Sequence, residues 1–212
     1  MANSDKRIYL ASRSPRRREL LKQAGIAFDL LLMRADLRRG VDVDEAPLAG
    51  EAADAYVMRI ASAKAAAGWR QVEKRRLPAG PVLAADTTVV LEGDIVGKPD
   101  HGEHAQQMLR RLSGKTHQVL TAIAIARGSR LETALSASSV EFRELEDDEI
   151  RSYVASGEPL DKAGAYAIQG RAAVFVRAIS GSYSGIMGLP LYETAELLRR
   201  FDINLFFASR PA

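Results

Sequence analysis

Five short stretches of this sequence hold residues whose type and spacing can do chemistry. The first is Ser12-Arg13-Ser14-Pro15-Arg16-Arg17-Arg18. Serine followed by proline is the signature of a helix N-cap and first turn. A helix N-terminus presents unpaired N–H groups and partial positive charge, so it favours anions. Arginines in that first turn are disfavoured unless an anion lies among them, and their planar forks match phosphate. A solvated arginine run on an exposed helix would have the same sequence. The second stretch is LAADTTVVL, where Asp86 follows an apolar run. That places Asp86 at a strand end, where α/β sheets bind ligands. A carboxylate there can hold Mg²⁺ or take a proton from water; it can equally cap a turn.

The third is Gly97-Lys98-Pro99. A lysine between glycine and proline has a restrained backbone and can neutralise a phosphate, although the Walker spacing is absent and an ordinary loop lysine fits as well. The fourth is DKAGAYAIQG at 161–170. Gly164 and Gly170 permit tight turns or close approach of a ligand. Gln169 offers a donor and an acceptor together, which suits a base edge, or it ties down its own loop. The fifth is the acidic pair Asp44-Glu45, which can bind a divalent ion, together with Lys64 on an alanine-rich helix. By itself each of these two is unremarkable.

The elements that must position these residues follow from periodicity and punctuation. RIYLAS (7–12) reads as a short buried strand, and the helix opened by Ser14-Pro15 runs to Gly25. FDLLLM is a second strand, 34–52 a charged loop, and 52–67 a helix with apolar residues at helical spacing. VEKRRLPAG reads as a loop. PVLAADTTVVLEGDIVGKP is a strand and hairpin turning at Glu92-Gly93-Asp94. HGEHAQQMLRRL and EDDEIRSYVAS are helices, the second with an acidic first turn that suits its dipole. HQVLTAIAIARG pairs with TALSASSVEFREL. Three strand-like pieces occupy 165–187, and PLYETAELLRRF is a final helix. Strands and helices mix without strict alternation, which predicts an α/β fold with a mixed sheet flanked by helices.

Composition narrows the function classes. The chain has 212 residues, 47% of them hydrophobic and 27% charged, enough for one sizeable core. The expectation is a single domain over 1–212, with flexible ends at 1–6 and 208–212. With no cysteine, disulfides and thiol chemistry are excluded, and three scattered histidines (His101, His104, His117) leave carboxylates as the natural metal ligands. A net charge of +3 and 6% aromatic residues argue against a nucleic-acid binder built on Arg16–Arg18. No signal-peptide pattern and no apolar run of membrane-spanning length is found, so a cytoplasmic protein without a membrane partner is expected.

Taken in order, LASRSPRRRELL, VDE, the AxxKA around Lys64, AADTTVVL, GKP, AQQMLRRLSGKTHQVLTA, EPLDKAGAYAIQG and SGSYSGIMGLPLYET resemble the Maf family of nucleoside triphosphate pyrophosphatases. The ADT and AYAIQG forms are similar to the branch acting on dTTP and UTP. Ala167 and the RAAVF of 171–175 depart from more glycine-rich relatives. The resemblance implies a long mixed sheet in two lobes with a central cleft, as in the related inosine-triphosphate pyrophosphatases. It implies hydrolysis of dTTP, UTP or modified pyrimidine nucleotides to the monophosphate and pyrophosphate. It implies attack of water on the α-phosphate with help from Mg²⁺ or Mn²⁺. It assigns Asp86, Lys98 and Lys64 to catalysis. It assigns Ser12, Arg16, Arg17, Thr87 and Gln169 to substrate, with Arg16, Thr87 and Gln169 linked to base choice. Glu45 and Asp86 are its metal carboxylates. A homodimer is compatible with it. The same family is associated with inhibition of septum formation, so a regulatory nucleotide-binding protein with little catalysis is the alternative.

Overall fold

The computed structural model describes residues 7–32 and 43–205. The expected flexible ends, and residues 34–42 of the charged loop, lie outside them. The described strands form a seven-stranded mixed sheet in the order β2-β1-β3-β5-β6-β7, with β4 paired to β3. They are β1 (Ile8–Leu10), β2 (Phe28–Leu30), β3 (Val82–Leu91), β4 (Asp94–Val96), β5 (Thr116–Arg127), β6 (Arg130–Phe142) and β7 (Val176–Ser180). β1 runs parallel to β2 and β3, whereas β3–β4 and β6–β7 are antiparallel. The α/β class with a mixed sheet and flanking helices is therefore as expected.

The helices are α1 (Pro15–Gln23), α2 (Ala53–Lys74), α3 (Gly102–Leu112), α4 (Asp147–Ala155), α5 (Tyr183–Met187) and α6 (Leu191–Arg200). Local signals set most of their ends. Ser14 is the N-cap of α1 with Pro15 behind it, and Gly25 takes positive φ just beyond its end. In α4 the side chain of Glu146 and that of Glu149 form a reciprocal capping box. Two expectations are corrected. α2 continues to Lys74, so the first part of VEKRRLPAG is helical; Val72 is buried and extends the stripe of Val57, Ile60, Ala61 and Ala65 by two further turns. The stretch 165–187 holds one strand, not three. Short 3-10 turns occupy 158–161, 163–165 and 171–175, and only β7 is extended.

The chain divides into two compact units. The first takes the described residues of Met1–Asp86, Ala122–Leu135 and Gly188–Ala212; the second is Thr87–Thr121 with Ser136–Met187. In the first, α2 lies tightly on β1 and β3. A Cβ on Gly68 would stand 2.6 Å from Val82 Cγ1 and 3.3 Å from the Ala11 Cβ. Small residues on this face let the helix come close to the strands.

In the second unit, Phe142 sits edge-on to His117, Tyr166 and Phe175 at centroid distances of 5.0, 4.9 and 6.1 Å. His117 Nε2 lies 2.8 Å from the Tyr166 hydroxyl, while its Nδ1 is buried with no hydrogen-bond partner. A second proton would rest on a nitrogen that neither water nor protein stabilises. Burial accordingly pushes His117 down to about 4. The unfolded chain gains this proton near pH 6.5 and the folded chain does not, so acidification favours unfolding. The contribution is complete above pH 6.5 and is lost between 6.5 and 4. Lowering the pH from 7.5 to 5 should therefore cost about 2 kcal/mol at this residue. Urea denaturation at the two pH values tests it. His117→Gln should flatten the difference, and an unchanged difference would remove His117 as its source.

Candidate active site

The core of the site lies in the first unit and is organised by Asp86. β3 reads as a near-continuous apolar run because nearly every residue in it is buried. The structure corrects the expectation that Asp86 ends this strand: β3 runs on through Thr87 and Thr88 to Leu91, leaving Asp86 inside it at 8% exposure. A carboxylate so placed needs a partner, because an unpaired buried charge is costly. Lys64 supplies it. Its Nζ donates to Asp86 Oδ1 at 2.8 Å and lies 2.9 Å from Glu45 Oε2. The close seating of α2 at Gly68 brings Lys64, one turn earlier, within reach of the strand. Asp86 Oδ2 makes no hydrogen bond to a described residue and is not sealed from solvent. It is thus placed to accept a proton or meet a cation.

The arginine run does not behave as a solvated face throughout. Arg17 Nε donates to the Gly188 carbonyl at 2.7 Å and its Nη1 to Ser12 Oγ at 3.3 Å. Burial lowers its pKa, opposed by the carboxylates of Asp86 and Glu45. An arginine nevertheless stays charged at any ordinary pH. Ser12 Oγ also accepts from Ser14 N at 3.2 Å. With two donors already on its oxygen, Ser12 has its own O–H left to give, the polarity a phosphate oxygen needs. Ser14 makes no side-chain cap, so its hydroxyl does not occupy the amides of the first turn of α1. Arg16 is half-buried on that turn and makes no hydrogen bond to a described residue.

The remaining candidates belong to the second unit. Thr87 Oγ1 is 3.0 Å from Thr121 Oγ1, and Thr121 donates to the Gly185 carbonyl at 2.8 Å. Because the single Thr121 proton is committed there, Thr87 donates to Thr121. Any further partner of the Thr87 hydroxyl must then be a donor. Lys98 is exposed and makes no ion pair with a described residue; its loop is tied by Gly164 N donating to Gly97 O at 2.9 Å. Gly164 has φ +71°, and a Cβ there would stand 2.8 Å from Val89. Both features exclude a side chain. The tightness at Gly170 is internal: Glu158 fills the space a Cβ would need, accepting from Tyr153 and from Arg171 N. The Gln169 loop is thus held by Glu158 and by the Tyr166–His117 contact. Gln169 itself is exposed, with no hydrogen bond to a described residue, so tying down the loop is not its task.

Sequence reasoning missed the supporting groups: the Gly188 carbonyl under Arg17, Thr121 behind Thr87, and Tyr56, which reads as an apolar core residue. The Tyr56 hydroxyl donates to the Glu45 carbonyl at 3.1 Å, and burial pushes its pKa up to about 12. Thr121 and Gly188 lie in stretches that carry the resemblance but have no role assigned there, and each contact spans the fold or a loop.

The sequence profile of the family described as Maf-like protein matches residues 7–201. The chain is 59% identical over 200 residues to the dTTP/UTP pyrophosphatase of Aromatoleum aromaticum, covering 94% of this chain and 97% of that one. It is 57% identical to the dTTP/UTP pyrophosphatase of Dechloromonas aromatica, covering 93% and 98% respectively. Among solved structures, the Staphylococcus aureus Ham1 protein matches at 18% identity and a TM-score of 0.43, over 67% of this chain and 73% of that one.

The Lys64–Asp86 pair makes a direct prediction. Lys64→Met should destabilise the protein by roughly 3 kcal/mol, because the buried carboxylate is left uncompensated. In that background Asp86→Asn should be stabilising, whereas in the wild type it should not. Chemical denaturation of the four proteins decides; an Asn substitution with the same cost in both backgrounds would show that the pair is not coupled.

Proposed function

We infer the function of this chain from one premise: it belongs to the Maf family. It is a nucleoside triphosphate pyrophosphatase, and we propose dTTP and UTP as its substrates. One observation carries the reading. A chain this similar to proteins named dTTP/UTP pyrophosphatase places a strand-buried aspartate against a lysine shared with a second carboxylate.

The proposed reaction is attack of water on the α-phosphorus. A bond forms from the water oxygen to phosphorus, and the bond from that phosphorus to the oxygen bridging to the β-phosphate breaks. Pyrophosphate leaves, and the proton of the attacking water passes to Asp86 Oδ2. The substrate is anionic throughout, so most of the task is positioning and charge stabilisation. Ser12 donates to a phosphate oxygen, while Arg16, Arg17, Lys64 and Lys98 provide positive charge. Asp86 and Glu45 fit a hard divalent cation, Mg²⁺ or Mn²⁺: both are oxygen donors, and both already reach one ammonium. Such an ion would neutralise phosphate charge and lower the pKa of water. For base choice, uracil and thymine present two carbonyls and one N–H. The Gln169 amide can meet both polarities, with Thr87 and Arg16 the other two residues that the resemblance links to base choice.

The test is a screen of dTTP, UTP, CTP and GTP with Mg²⁺ and with Mn²⁺, with products separated by chromatography. Pyrophosphate and a monophosphate are expected from dTTP or UTP; a diphosphate with orthophosphate would overturn the reaction type. Asp86→Asn keeps the shape and loses the base. Its turnover should fall roughly 10²–10⁴-fold. A folded Asn variant with normal turnover removes Asp86 from the mechanism and returns the chain to a binding role at this residue.

A further inference from the structure

The segment from Glu45 to Glu51 has no regular secondary structure, yet it carries the carboxylate that meets Lys64. Several contacts hold it to α2. Arg59 grips Glu51 with both arms of its fork, Nε to Oε1 at 2.6 Å and Nη2 to Oε2 at 2.7 Å. The same Nη2 donates to the Ala46 carbonyl, one residue beyond Glu45, at 3.1 Å. Glu51 turns back to accept from Leu48 N at 3.1 Å. Tyr56, one turn before Arg59 on the same helix, donates to the Glu45 carbonyl, and the Arg59 guanidinium lies 5.6 Å from its ring centre. The Glu51 side chain is 9% exposed, so this is not a solvated surface pair.

We propose that Arg59, locked by Glu51, is a positioning residue for the reaction: it clamps the 45–51 segment to α2 and thereby keeps the Glu45 carboxylate on Lys64. The inference rests on the proposed function only for its kinetic consequence. The chemistry supports the choice of residue type. One guanidinium satisfies a bidentate carboxylate and a backbone carbonyl at once, in fixed directions. A lysine keeps the charge and loses the fork. The partners agree electrostatically: the Arg59 hydrogen bonds hold the Glu51 carboxyl down at about 2, so the clamp remains charged at any working pH. Arg59 and Lys64 lie five residues apart on one helix, so the clamp and the group it serves share one rigid element.

The test uses the full chain with Arg59→Lys, the milder Glu51→Gln, Glu45→Gln, and the two doubles that join a clamp variant to Glu45→Gln. One arm needs no nucleotide. Competitive acetylation of lysines, read by peptide mass spectrometry, measures how accessible Lys64 is relative to the other lysines. Arg59→Lys should raise Lys64 labelling to the level of Glu45→Gln, and the double should go no higher. A role in stability alone would lower Tm and leave this ratio unmoved in the folded protein. The second arm is kcat/KM for dTTP or UTP. Removing an outer-shell partner typically costs 10–100-fold, so a loss of about that size is expected for Arg59→Lys in the wild-type background and none further with Glu45→Gln. Equal losses in both backgrounds, or wild-type labelling of Lys64 in both clamp variants, overturn the proposal. A wild type that releases no pyrophosphate would refute the functional reading while the labelling arm still decides this one.

Discussion

The first unit depends on one contact, an ammonium shared by two carboxylates. Asp86 is an anion in the interior of a strand otherwise built of alanine, valine, leucine and threonine. Such a position is tolerable only with a cation delivered from another element. The cation comes from α2, and α2 can deliver it because its inner face is alanine and glycine. A larger residue at Gly68 would meet Val82 and lift the helix from the sheet. The composition of α2 is thus a consequence of the charge on β3. A helix chosen for propensity alone would not carry glycine at that point, since glycine costs about 1 kcal/mol relative to alanine in a helix interior.

Other candidate polar groups are tied in chains of contacts of their own. Arg17 is held by a carbonyl and by Ser12; Thr87 is held by Thr121, which is held by a carbonyl. At Ser12 the two donors use up one polarity, and its own O–H is left to give. Buried networks of this kind fix hydrogen positions as well as heavy atoms, because each member has only one arrangement that satisfies its neighbours.

Much of this organisation was legible in the sequence where the signal is local. Ser14-Pro15 with Gly25 marks α1, Glu92-Gly93-Asp94 marks the β3–β4 turn, and the apolar spacing of α3 and α6 survives intact in the structure. Illegible parts have physical causes. A short apolar piece such as Tyr166-Ala167-Ile168 looks like a strand because burial, not pairing, selects its residues; all three are buried and belong to no strand. Asp86 looks like a strand end because a charge interrupts an apolar run, and nothing nearby reveals the lysine that makes the interruption tolerable. Lys64 and Asp86 are 22 positions apart, so their pairing is a fact of packing. Family resemblance named both residues without that geometry, and the geometry gives the physical reason for the lysine.

Charge balance takes the argument one step further. Arg16, Arg17 and Lys64 contribute three positive charges to this region, and Asp86 and Glu45 contribute two negative ones, so one positive charge remains. A single net positive charge is a small attraction for a triphosphate. If the chain acts on that substrate as proposed, the two carboxylates must be given another partner when it binds, so that Lys64 can turn toward phosphate. Asp86 and Glu45 would hold a divalent cation through their carboxylate oxygens, and such an ion would supply both that alternative partner and positive charge toward the substrate. Lysine suits the exchange better than arginine would. Its compact, flexible ammonium can leave a carboxylate without breaking a planar two-bond fork. Arg59 stands where nothing should move, and it is an arginine for the opposite reason.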